Sequence, residues 1–148
     1  MVRRLGHLCL VTDRLDMMLD FYNRRIGLPL KYTFKNRENQ VFGYSFACGD
    51  STYLEIFDRV LKTKLWGGAL VPLNPSSQVD HFSLEVGNLE EFKAQLRGRG
   101  VAVGPIKKEL DESLQVWVRD PDGNAIEFKE YPMEKWHVET PPAVNVPQ

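Results

Sequence analysis

Cysteine is scarce in this chain. The two present, Cys9 and Cys48, are too widely spaced for a metal knuckle or a Cys-x-x-Cys redox pair. Both are expected to be reduced, buried, small apolar residues. Long apolar runs are missing too, and nothing approaches the roughly 20 residues that a membrane helix requires. The first ten residues carry two arginines and a short apolar run, without the long apolar segment and small-residue cleavage site of a signal peptide. Charge of one sign is also lacking. The balance of 19 basic against 20 acidic residues gives a net charge of -1, and a pI near 6.3 offers no general attraction to nucleic acid or anionic membrane. These absences point to a cytoplasmic protein without nucleic acid or membrane as a partner. With 43% apolar and 26% charged residues among 148, the chain has an ordinary globular composition. A chain of this length should bury about two-thirds of its unfolded surface and needs no disulfide or metal merely to fold.

What is present is a repeat. Shifted by 74 positions, His7-Leu8-Cys9-Leu10 falls on His81-Phe82-Ser83-Leu84, Leu15-Asp16 on Leu89-Glu90, and Arg25 on Arg99. Asp50-Ser51-Thr52-Tyr53-Leu54-Glu55-Ile56 resembles Asp122-Gly123-Asn124-Ala125-Ile126-Glu127-Phe128. The separation from histidine to glutamate is 48 residues in the first copy and 46 in the second. A common order at a nearly constant offset marks a duplicated unit.

Each copy has the same pattern of elements. Residues 4–11 form an apolar run of strand length, after which Thr12 or Asp13 can cap a helix carrying Leu15, Met18, Leu19, Tyr22 and Ile26 at helical spacing. Gly27 and Pro29 end that helix, and strands are expected around Lys31–Phe34, Val41–Cys48 and Thr52–Phe57. The second copy opens with a strand at His81–Val86 and a capping signal, Asn88 with Glu91. Its helix carries Leu89, Phe92 and Leu96 and ends at Gly98 and Gly100. Strands around Val101–Val103, Gln115–Val118 and Ala125–Glu130 complete it. The expected organisation is a first module at 1–58, a linker at 59–78, a second module at 79–131 and a Pro-rich tail at 132–148, all within one domain. The linker starts basic and amphipathic, with Lys62, Lys64 and Trp66. Trp136 suggests that part of the tail docks, and His137, which has no counterpart in the first copy, is taken as a surface residue.

Alternation along a strand puts His7, Cys9 and Val11 on one face, and His81, Ser83 and Glu85 on the matching face of the second copy. Tyr53, Glu55 and Phe57 share a face near the end of the first copy. Ala125, Glu127 and Lys129 do so near the end of the second. The opposite, fully apolar faces call for a helix layer. A single histidine or glutamate on a strand is ordinarily solvated or satisfied by a backbone partner; recurrence at matching points is what sets these four apart. Two imidazoles and two carboxylates suit one divalent first-row metal, with Ni, Co, Zn, Mn and Fe all compatible and calcium disfavoured. No His-Glu-x-x-His motif occurs, so such a site would be assembled from separate strands.

Gly6-His7-Leu8-Cys9-Leu10-Val11-Thr12-Asp13, followed by Phe21-Tyr22 and Ile26-Gly27-Leu28, resembles the opening of the vicinal oxygen chelate superfamily, the glyoxalase, bleomycin-resistance and extradiol-dioxygenase group. Asp80-His81-Phe82-Ser83-Leu84-Glu85-Val86 resembles its second-module opening, and Val118-Arg119-Asp120-Pro121-Asp122-Gly123-Asn124-Ala125-Ile126-Glu127-Phe128 its most specific signature. The resemblance spans about residues 4–131. It implies an α+β fold in which two βαβββ modules form a cup-shaped mixed sheet with helices on the outer face, often as a homodimer. It further implies metal ligation by His7, Glu55, His81 and Glu127, a set similar to the glyoxalase I pattern. The stretch Ile56-Phe57-Asp58-Arg59 lacks the asparagine that helps hold glutathione there, so the likeness is closer to the glyoxalase-like branch.

The function so implied is a lyase or isomerase of glyoxalase type acting on a small molecule with adjacent oxygens. A proton leaves the carbon next to a chelated carbonyl, the metal stabilises the enediolate, and Glu127 or Glu55 is the base. Tyr53, Phe57, Ser83 and Trp117 are candidates to line the substrate site. Two alternatives stand beside this reading. One is an iron(II) dioxygenase using His7, His81 and Glu127. The other is a metal-free resistance-type protein that sequesters a small planar molecule.

Overall fold

A computed structural model describes residues 4–49, 51–73, 79–109 and 112–132. Asp50 and the tail residues Trp136 and His137 lie outside the described residues. Contacts divide the chain into two compact units: Met1–Gln78 with Asp120–Asn124, and Val79–Arg119 with Ala125–Gln148.

In the first unit, strand β1 (His7–Thr12) leads into helix α1 (Leu15–Leu19), which continues as a wider π-helix over Asp20–Ile26. Strands β2 (Leu30–Lys35), β3 (Val41–Ala47) and β4 (Tyr53–Asp58) follow, and the sheet order is β1-β4-β3-β2. The first and last strands pair in parallel, His7 opposite Tyr53 and Cys9 opposite Glu55, while the rest of the sheet is antiparallel. Neither expected cap closes α1 from Thr12 or Asp13. Arg14 stands at the N-cap; Thr12 instead accepts a hydrogen bond from the Arg14 N–H at 2.9 Å. Asp13 takes the Arg59 guanidinium in two bonds of 2.9 and 2.7 Å. The π-turn brings Phe21, Tyr22 and Ile26 inward. It stops at Gly27, whose φ of 92° is the left-handed conformation that glycine adopts without strain. These residues and Met18 share the unit's core with Phe46, Leu54 and Ile56.

The segment expected to be a linker opens with helix α2 (Arg59–Trp66), capped by Asp58, whose side chain accepts the Leu61 N–H at 2.8 Å.

The second unit repeats the plan with strand β5 (His81–Glu85), helix α3 (Leu89–Gly98) and strands β6 (Lys107–Lys108), β7 (Leu114–Arg119) and β8 (Ala125–Glu130), ordered β5-β8-β7-β6. Asn88 caps α3 by accepting the Glu91 N–H at 3.0 Å. Glu130 takes the adjacent Leu89 N–H at 2.6 Å. One expected strand is displaced. Val101 closes the helix end, donating to Leu96 O at 2.9 Å, and Pro105 has no N–H to offer a ladder. Ahead of the two-residue β6, contact with β7 is limited to the Gly104 N–H donating to Trp117 O at 3.4 Å, and regular pairing begins at β6. Parallel pairing again sets His81 opposite Ala125 and Ser83 opposite Glu127. The α+β class and the two-module plan are thus as expected. Among the described residues no helix is long and apolar enough to cross a membrane.

One contact in the first unit joins distant parts of the sequence. The Tyr22 hydroxyl donates to Asp120 Oδ2 at 2.7 Å. The same carboxylate accepts the Asp122 and Asn124 N–H groups at 3.0 and 2.9 Å and the Asn124 amide at 2.8 Å. Burial, then the Asp120 charge and hydrogen bond, push the Tyr22 hydroxyl well above the ordinary tyrosine value near 10. Its proton is therefore held more tightly in the folded chain than in the unfolded one. The stability this confers is complete below about pH 10 and is lost as pH rises toward the folded value. Urea midpoints measured between pH 8 and 11.5 should fall above pH 10, and fall less steeply in Tyr22→Phe. Parallel curves for the two proteins would contradict this account.

Candidate functional site

Cross-strand partners share a sheet face, so the register assembles a row of side chains in each unit. In the first, His7 and Tyr53 lie beside Ala47, Cys9 and Glu55 beside Ser45, and Phe57 beside Gly43. In the second, His81 and Ala125 lie beside Arg119, Ser83 and Glu127 beside Trp117, and Lys129 beside Gln115. The two rows superpose residue for residue: histidine on histidine, glutamate on glutamate, and the small Cys9 on Ser83. Sequence alternation predicted this face, and the buried patterns on the opposite faces agree with it.

Within the first unit, His7 Nε2 stands 3.8 Å from Glu55 Oε2, with side-chain exposures of 55% and 22%. That separation leaves both groups open to a shared third partner. Within the second unit the ring of His81 is held differently. Its Nδ1 lies 2.7 Å from Asp80 Oδ2. A carboxylate only accepts, so Nδ1 carries the proton, and in the neutral ring Nε2 then presents its lone pair. Trp117 meets the same ring edge-on, with centroids 4.7 Å apart. Glu127 is only 8% exposed, and among the described residues no hydrogen bond or ion pair reaches its carboxylate. No group of three or more His, Cys, Asp or Glu side chains that could hold a metal occurs among the described residues. The donors come instead as one close pair, His7 with Glu55, and as His81 and Glu127 at the matching register positions of the second unit.

The other expected lining residues divide. Ser83 is exposed next to Glu127, and Tyr53 is half-buried next to His7. Phe57, at 2% exposure, is enclosed. Its ring packs on Phe34 and Phe42 at 4.9 and 5.8 Å and is covered edge-on by Trp66 at 5.0 Å. Gly43 makes room for it, since a Cβ there would overlap the Phe57 ring. Gly43→Ala should therefore cost about 1–3 kcal/mol by forcing that ring aside. Thermal unfolding reads the loss, and an unchanged midpoint would contradict the packing. Cys9, expected to be buried, is exposed on this face. Partial shielding of the thiol, then the Glu55 charge, raise it.

Two features were not foreseen as parts of this face. One is Asp80, whose only sequence signal is its place beside His81. The other is α2, which the basic, amphipathic composition around Lys62 and Trp66 marked only as a segment able to pack or bind.

Comparison with known proteins bears on the fold and family. The model of the Glyoxalase/Bleomycin resistance protein/Dioxygenase superfamily matches residues 4–128. A glyoxalase domain-containing protein, RDO1 of Mycosarcoma maydis, is 30% identical over 134 residues, covering 88% of this chain and 69% of the relative. A lactoylglutathione lyase from Agrobacterium tumefaciens shares the fold with a TM-score of 0.64 at 21% identity, over 91% of this chain and 97% of that one. So does the antibiotic-binding protein TnmS3 from Streptomyces sp. CB03234, with a TM-score of 0.68 at 21% identity, over 88% of this chain and 98% of that one. The duplicated strand–helix–three-strand plan, its matched histidine and glutamate rows and these likenesses have one explanation: the chain belongs to the glyoxalase/bleomycin resistance protein/dioxygenase superfamily.

Proposed function

We propose that the protein is a divalent-metal-dependent lyase or isomerase of glyoxalase type, moving a proton next to a carbonyl of a small molecule with adjacent oxygens. The observation that carries this reading is the matched pair of half-sites: His7 with Glu55, and His81 with Glu127, at identical register positions. Their chemistry fits one cation of the Ni, Co, Zn, Mn or Fe(II) kind, since two imidazole nitrogens and two carboxylates suit those ions. The unpartnered Glu127 carboxylate and the free His81 Nε2 support the fit. The proposal requires both pairs to meet at one ion, within a chain or across a homodimer.

A bound cation there supplies Lewis acidity, polarising neighbouring substrate oxygens and acidifying the adjacent C–H. His7 and His81 hold position, the latter oriented by Asp80 through Nδ1. Glu55 takes the proton from carbon and returns it to the neighbouring carbon. It is the better placed of the two glutamates, because Cys9 and Ser45 beside it are small. Glu127 is flanked instead by Trp117, which restrains its swing. Tyr53, opposite His7, and Ser83, opposite Glu127, are the side chains proposed to meet the substrate in each unit, with Trp117 limiting water beside His81.

Metal titration of chelator-stripped protein tests the reading. Uptake should approach one ion per pair of modules. Uptake below about a tenth of an equivalent would overturn it, because so sparsely filled a site is no property of the fold. Turnover that persists under nitrogen supports proton transfer; turnover that stops without oxygen assigns the dioxygenase instead.

A further inference from the structure

Helix α2 is pinned at both ends. Arg59, its first residue, holds Asp13 through two hydrogen bonds and donates to Val71 O at 3.2 Å. Trp66, its last, stands edge-on to Phe42 and Phe57 with centroids 5.3 and 5.0 Å away. Phe57 lies on the face of β4 that carries Glu55, two residues earlier. The helix is therefore fixed against the site face of the first unit. The Lys62 Nζ lies 6.0 Å from the centre of the Trp66 ring. Lys62 is half-buried, and among the described residues no carboxylate forms an ion pair with it. Trp66 itself is 57% exposed although its neighbours are sealed.

Half-burial of Lys62 covers its stem and leaves an ammonium with no counter-ion open to solvent, where an incoming anion can make a charge-assisted contact. The aromatic ring beside it offers a flat apolar surface to the body of such a molecule. We infer that Lys62 and Trp66 form the anion-holding end of the site, so that the substrate is a small carboxylate-bearing molecule whose planar or apolar part lies against Trp66. This deepens the functional reading above and rests on it for the word substrate; the binding itself needs no metal.

The test uses the metal-free full chain. Benzoate and its neutral isostere benzamide are titrated while the Trp66 indole N–H is followed by NMR, with its signal assigned from a Trp66→Phe variant. Benzoate should shift that signal saturably and bind roughly ten-fold more tightly than benzamide, the scale of one hydrogen bond to a charged group. Lys62→Met, which keeps the stem, should bring the two probes within about two-fold of each other, and Lys62→Arg should keep the preference. Spectral dispersion shows whether each variant is folded. Equal binding of the two probes, no response of Trp66, or a preference that survives Lys62→Met would each overturn the inference. Metal titration of the same samples separates the two ideas: a protein that takes up no metal but prefers benzoate fails the functional proposal and keeps this one.

Discussion

Asp120→Ala should lower the stability of the protein by about 3–5 kcal/mol, the scale for breaking a buried network that contains a charge. For a chain of this size the melting temperature would drop by on the order of 10 °C. Asp120 is buried and accepts four hydrogen bonds, from the Tyr22 hydroxyl, the Asp122 and Asn124 N–H groups and the Asn124 amide. Alanine removes every acceptor and leaves the enclosed Tyr22 hydroxyl without a partner. Tyr22→Phe should cost less, about 1 kcal/mol, because Asp120 Oδ2 keeps the Asn124 amide. The double variant should lose little more than Asp120→Ala alone, since the two residues share one interaction. A loss below about 1 kcal/mol for Asp120→Ala, read by urea unfolding, would show that the network is not what fixes this turn.

The same residues show how much the sequence disclosed. Asp120-Pro121-Asp122-Gly123-Asn124 was recognisable as part of a family signature. Its attachment to Tyr22 was not, because 98 residues separate Tyr22 from Asp120 and no local pattern encodes such a pairing. The faces of β1, β4, β5 and β8 were legible because strand alternation is a local rule, and the repeat supplied a second measurement of it. The helix after β1 was visible from apolar spacing, but its widening into a π-helix was not, since periodicity of side chains does not report which carbonyl each N–H selects. The strand expected at Val101–Val103 failed for a related reason. Two β-branched residues, Val101 and Val103, were taken up by the end of α3 and by the Gly104-Pro105 step, which overrode their propensity. Around the site, His7, Glu55, His81 and Glu127 were found from recurrence, whereas Asp80 and Lys62 have no counterparts that repetition could expose.

Glu127→Gln should lose at least roughly 100-fold in metal affinity, beyond the range usual for a partner outside the coordination sphere. Without metal it should be as stable as the unsubstituted protein. The contrast with Asp120 explains both halves of this expectation. The two residues are buried carboxylates, at 8% and 5% exposure, yet one accepts four hydrogen bonds and the other none among the described residues. No donor among the described residues holds the Glu127 carboxylate, whose oxygens keep some solvent contact, so a neutral amide of the same shape forfeits no native hydrogen bond. Such a residue is explained by what it binds rather than by what it stabilises. His7→Ala and Glu55→Gln should show the same separation, with smaller effects on metal-free stability still, because both side chains retain more solvent contact. Metal affinity by competition with a coloured chelator, and unfolding of the stripped protein, measure the two quantities independently. If Glu127→Gln kept its metal affinity while losing several kcal/mol of stability, the carboxylate would be part of the scaffold, and the matched rows would be a relic of duplication with no shared ion.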